Sequence, residues 1–184
     1  YHFNTQWTYD ARDQVLNQVY PSGTGGQSGE TVATAYGQWG LPDTLGGTSN
    51  YVVQMTPDVL GRIDLLKLGG SAQNPTLQVD YGYYAWTTTN GRGRLQQIRS
   101  GPPGAPTQLQ DLSYVYDGVG NVTSITDNKE APATLSLSYD EQDRLTGTSG
   151  TYTRGYTYQA IGNLDSRTSG ATTYYTYEAN HKHA

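Results

Sequence analysis

The chain has 184 residues, 11 Lys and Arg against 16 Asp and Glu, and a net charge of −5. No Cys is present, which excludes a disulfide framework and a thiolate metal site, and Lys and Arg form no cluster of the kind that binds nucleic acid or an anionic membrane. Leu, Ile, Val and Phe number 30, about 16%, too few for an ordinary aliphatic core, so the 17 Tyr must supply the packing surface.

In chain order, the N-terminal YHFNTQWTYD lacks the charged and apolar regions of a signal peptide, as in a piece cut from something longer. No later stretch approaches the roughly 18 apolar residues of a membrane span. An i, i+3, i+4, i+7 apolar pattern never outlasts a turn, so the chain is predicted all-β. Alternation marks the strands. Leu112, Tyr114 and Tyr116 share one face of LSYVYD, and Leu135, Leu137 and Tyr139 one face of ATLSLSYD. Tyr152, Tyr156 and Tyr158, then Tyr175 and Tyr177, repeat the device.

A seven-residue phrase follows these strands: YDARDQV from Tyr9, YGQWGLP from Tyr36, PDVLGRI from Pro57, TNGRGRL from Thr89, YDGVGNV from Tyr116, YDEQDRL from Tyr139 and YQAIGNL from Tyr158. An eighth copy begins at Tyr177 and breaks off. The starts lie 19 to 32 residues apart, an irregular repeat with loops of unequal length. Position 2 holds Asp10, Asp58, Asn90, Asp117 and Asp140, short side chains that accept backbone hydrogen bonds and open a type I turn. Position 5 holds Asp13, Gly40, Gly61, Gly93, Gly120, Asp143 and Gly162, residues able to take the positive φ that closes a bulged hairpin. Position 7 is aliphatic in six copies: Val15, Ile63, Leu95, Val122, Leu145 and Leu164. Each phrase therefore reads as a β-hairpin turn. Between the copies, stretches such as PSGTGGQSG, GGSAQNP, SGPPGAP and TDNKEAP read as loops on the opposite margin.

The unit Y-D-x-x-G-N/R-L/V resembles the YD repeat of the RHS family, which includes bacterial RHS proteins, C components of insecticidal toxin complexes and the teneurins. YDGVGNV at Tyr116 and YDEQDRL at Tyr139 are closest to that pattern, and copies extend from Tyr9 to Tyr177. Pro57 and Thr89 replace the leading Tyr, and the copy at Tyr36 reads as one residue short. The terminal HKHA is similar to a histidine-containing string in many bacterial members. The resemblance implies one continuous ribbon of antiparallel hairpins that spirals into a hollow shell or tube wall. No Asp-Pro dipeptide occurs, so the self-cleaving plug of some members transfers to no residue here.

Candidate chemistry is sparse. His2, His181 and His183 sit at the chain ends and make poor bases, and the last two offer a metal only two ligands. The turn carboxylates are some twenty residues apart, too far for a calcium loop, and GRGRL lacks the Lys-Ser/Thr of a phosphate loop. No catalytic, cofactor or metal residue is expected. Trp7, Trp39 and Trp86 could stack sugar rings, giving an adhesin reading. About sixteen strands at roughly 4.8 Å make a strip of about 75 Å with two open edges. The whole chain then reads as a single array of about eight hairpins, a fragment or protomer of an extracellular or cell-surface wall. Its expected partners are copies of itself or flanking repeats, with an enclosed cargo or a surface glycan.

Overall fold

The computed structural model describes residues 4–22, 29–129 and 133–177. Among these residues fifteen strands form one open sheet whose spatial order equals the chain order, and every neighbouring pair with a resolved register is antiparallel. Among the described residues there is no α-helix, only one 3₁₀ turn at Gln38–Gly40.

Seven hairpins and a final strand account for the order. They are β1 (Gln6–Tyr9) with β2 (Val15–Tyr20), β3 (Glu30–Tyr36) with β4 (Pro42–Gly46), β5 (Asn50–Pro57) with β6 (Ile63–Leu68), and β7 (Leu77–Tyr83) with β8 (Leu95–Gly101). Then come β9 (Gln110–Tyr116) with β10 (Val122–Asp127), β11 (Ala133–Tyr139) with β12 (Leu145–Gly150), β13 (Arg154–Tyr158) with β14 (Leu164–Ser169), and the lone β15 (Ala171–Tyr174). Each phrase lies between the two strands of one hairpin. The chain divides into two compact units, Tyr1–Gly82 with Ile98–Gln110, and Tyr83–Gln97 with Asp111–Ala184.

Alternation decides which side chains gain cover. In β11, Leu135, Leu137 and Tyr139 are half-buried while Ser136 and Ser138 are exposed, as the period of two requires. Among the described residues no aliphatic or aromatic side chain is fully buried, and the buried polar ones are Thr148 and Ser166. Backbone pairing and partial ring burial carry the fold. Among the described residues β1 and β15 pair on one side only, and all their residues are exposed.

Two readings of the phrase need correction. The copy at Tyr36 is not short: Tyr36 pairs with Pro42, which puts a full seven residues in the turn, with proline in the aliphatic place. The fourth reversal does not open at Thr89 and Asn90. Its root hydrogen bond runs from the Tyr84 N–H to the Arg94 carbonyl at 2.9 Å, so the loop spans 83–95. Asn90 sits inside that longer loop, where its carbonyl accepts from Arg94 Nη1 at 2.8 Å. Six extra residues between the strands made its last part look like a complete turn.

Candidate functional site

The repeated turn is where chemistry-bearing side chains recur, and it assembles from position 2 outward. The position-2 N–H donates to the position-6 carbonyl at 2.7–3.0 Å from Asp10, Asp58, Asp117 and Asp140, and at 2.8 Å from Gly37 and Gln159. The position-5 N–H returns to the position-2 carbonyl, closing a type I turn at Asp13, Gly61, Asp143 and Gly162 and, with Trp39 at φ 59°, a type II turn at Gly40. Position 5 then takes positive φ, at 60° in Asp13 and Asp143 and 71–110° in Gly40, Gly61, Gly93, Gly120 and Gly162. Asp accepts that region better than most residues because its short side chain bonds locally. The consequence is a bulge: Tyr9↔Val15, Pro57↔Ile63, Tyr116↔Val122, Tyr139↔Leu145 and Tyr158↔Leu164 each adjoin a register shift.

The aspartates hold the loop from within. Asp117 Oδ1 accepts from the N–H groups of Val119 (3.1 Å), Gly120 (2.7 Å) and Asn121 (2.8 Å). Asp10, Asp58 and Asp140 each accept two such bonds. The second oxygens of Asp58, Asp140 and Asp117 take position-6 side chains, Arg62 and Arg144 by Nε at 2.7 Å and Asn121 at 3.0 Å, while that of Asp10 takes Arg12 Nε at 3.4 Å. All four carboxyls consequently titrate below the usual 3.8. In Asp10 the Gln14 N–H leads, and in Asp140 the Arg144 side chain does. In Asp58 and Asp117 desolvation pushes upward most strongly of any single effect, and the combined hydrogen bonds outweigh it.

Sequence reasoning missed what joins one repeat to the next. The leading tyrosine of a copy donates its hydroxyl to the position-7 carbonyl of the copy before it. Tyr36 reaches Val15 at 2.9 Å, Tyr116 reaches Leu95 at 2.8 Å, Tyr139 reaches Val122 at 2.9 Å, Tyr158 reaches Leu145 at 2.8 Å and Tyr177 reaches Leu164 at 2.8 Å. The carbonyls of Val15, Val122, Leu145 and Leu164 lie past the ends of the inter-hairpin ladders. The β2–β3 ladder starts at Asn17↔Ala33, β10–β11 at Ser124↔Ser136, β12–β13 at Gly147↔Gly155 and β14–β15 at Ser166↔Tyr174. The phenol satisfies a backbone acceptor where no strand N–H arrives.

Position 6 supplies a second clasp. Gln14 Nε2 donates to the Gly40 carbonyl at 2.7 Å, Asn121 Nδ2 to Asp143 Oδ1 at 2.8 Å, and Arg94 Nη2 to the Val119 carbonyl at 3.3 Å. Arg144 lies over the Tyr158 ring at 4.5 Å and Arg94 over Tyr116 at 5.7 Å, both cation–π contacts to the next leading tyrosine. The available signal was the recurrence of a polar donor there: Gln14, Arg62, Arg94, Asn121, Arg144 and Asn163.

The tryptophans stand apart from this machinery. Trp39 and Trp86 are each 67% exposed and Trp7 48%. Trp39 has φ 59° at the tip of its turn, and Trp86 lies close over Gly93, where an added Cβ would meet the indole at 2.7 Å. Among the described residues no group of three His, Asp or Glu could hold a metal. His2, His181 and His183 lie outside the described residues.

No protein-family model and no curated protein matches the sequence. Solved structures do. The mutant Tc holotoxin pore of Photorhabdus luminescens aligns with 92% of this chain at TM-score 0.75 and 23% identity. The TcdB2–TccC3 complex aligns with 94% at TM-score 0.75 and 24% identity, and TcdB2–TccC3–Cdc42 with 94% at 0.76 and 23%. The fold is the YD/RHS-repeat ribbon. At this identity the likeness concerns architecture alone. The chain spans 9–10% of the length of those Tc chains.

Proposed function

We propose that the chain is a structural, non-catalytic stretch of β-ribbon wall in a secreted or cell-surface YD/RHS-repeat protein, one array of hairpins throughout. It encloses cargo as part of a longer shell, or copies join edge to edge into a tube or filament. The observation that carries this reading is that the chain's recurring side chains are spent on joining hairpins. Leading tyrosines and position-6 donors reach the adjacent copy, and the aspartates are saturated by their own turns. Among the described residues the outer edges of β1 and β15 are unpaired, and an unpaired edge that templates further strands supports flanking repeats or identical copies as partners. The Tc toxin structures that share the fold support a wall role by analogy. Electron microscopy of the purified protein tests it: closed cocoons, tubes or fibres are expected, and a monodisperse monomer at every concentration contradicts it.

The exposure of Trp39 and Trp86 favours one second reading, a carbohydrate-binding adhesin module. Alanine at either position separates the two. Lost glycan binding with an unchanged melting curve supports the adhesin, and unfolding supports a packing role.

A further inference from the structure

One junction lacks its phenol. Copy three begins with Pro57, which pairs with Ile63 as leading tyrosines pair elsewhere, so no hydroxyl from this position reaches back to Pro42, the position-7 residue of copy two. The sheet opens at the same place. The β4–β5 ladder consists of Leu45↔Val52 and Gly46↔Asn50, which leaves Pro42 beyond its end, and the Met55 N–H turns to Asp43 Oδ1 at 3.4 Å. A cleft of about 210 Å³ occupies the gap, bounded by Gly37, Leu41, Pro42, Asp43, Met55 and Pro57. That is below the roughly 300 Å³ of sites for drug-sized ligands and suits a single ring.

We propose that this cleft binds a phenolic ring, seated between Leu41, Pro42, Met55 and Pro57 with its hydroxyl donating to the Pro42 carbonyl. The molecule itself supplies the template. At five other junctions a tyrosine ring packs beside position 7 of the preceding copy and donates to that residue's carbonyl. Here proline removes the ring and keeps the turn, because the fixed φ of proline is compatible with a strand end. The ligand class is the side-chain chemistry of tyrosine, whether as a small phenol or carried by a peptide. The inference rests on local repeat geometry and stands whether the ribbon is a shell or a filament.

The test titrates 4-methylphenol into the intact protein and follows backbone amide resonances. Saturable shifts confined to residues 37–43 and 55–57 are expected, with toluene, which lacks the hydroxyl, binding several-fold more weakly. A short peptide with one Tyr, titrated in parallel, distinguishes the sources: tighter binding than 4-methylphenol points to a polypeptide, and weaker binding to a small phenol. Pro57→Tyr should fill the cleft from within, abolish binding and raise the melting temperature. Should that variant not fold, Met55→Trp blocks the cleft from β5 and should also abolish binding. Absence of saturable shifts, equal binding of toluene, or undiminished binding in the folded cleft-filling variant overturns the proposal.

Discussion

Replacing Tyr139 with Phe isolates the bond between repeats. The ring and its half-burial stay, and only the 2.9 Å hydrogen bond to the Val122 carbonyl goes. A neutral hydrogen bond contributes about 0.5–1.5 kcal/mol net, and the partly exposed carbonyl can recover some of this from water, so a loss of about 1 kcal/mol is expected. For a chain of this length that lowers the melting temperature by about 2–4 °C. Tyr116→Phe and Tyr158→Phe remove the equivalent bonds to Leu95 and Leu145, and if the three junctions act independently the triple variant loses about 3 kcal/mol. Tyr9 is 55% exposed at the outer edge and serves as the control, with Tyr9→Phe leaving the curve unchanged. Equilibrium denaturation followed by circular dichroism reads all of these. Equal curves for Tyr139→Phe and Tyr9→Phe would refute the claim that phenols tie one hairpin to the next.

Gly120→Val should cost much of the second unit's order, because φ is 110° there and a β-branched residue resists that backbone; unchanged thermal melting would sink that expectation. Acid should unfold the protein through its turns. The carboxyls of Asp10, Asp58, Asp117 and Asp140 titrate lower folded than unfolded, so their stabilisation is present above pH 3.8 and fades as pH falls through the folded values. Asn at all four positions should flatten the acid limb of a stability profile. Base acts in the opposite sense: burial raises Tyr116 and Tyr139 above 10.0, so their contribution is intact below pH 10.0 and is lost as pH climbs through the raised values. Tyr139→Phe should reduce that alkaline loss, which a pH series of denaturation curves measures.

The turns were legible in the sequence because their chemistry is local. An aspartate that caps backbone N–H groups two to four residues on, and a residue suited to positive φ three places later, write the reversal into one short phrase. The fourth reversal was misplaced for the same reason, since TNGRGRL has the look of the phrase while the root bond forms at Tyr84, outside it. Pro42 hid the full length of the second copy because proline breaks the aliphatic pattern but not the pairing. The clasps between copies were harder to see. Their donors are visible as Tyr36, Tyr116, Tyr139, Tyr158 and Tyr177, but their acceptors are backbone carbonyls, which every residue carries and no side chain marks. The Pro57 cleft becomes readable only once the other junctions define what is missing there.

Amide hydrogen exchange resolved by residue tests the central claim most directly, namely that each seven-residue phrase reverses the chain and carries it into one laddered sheet. Slow exchange is predicted at Asp10, Asp58, Asp117 and Asp140, whose N–H groups close the hairpin roots, with fast exchange at exposed position-3 tips such as Val59 and Glu141. Slow exchange running unbroken through the phrases, or fast exchange at all four roots, would contradict it.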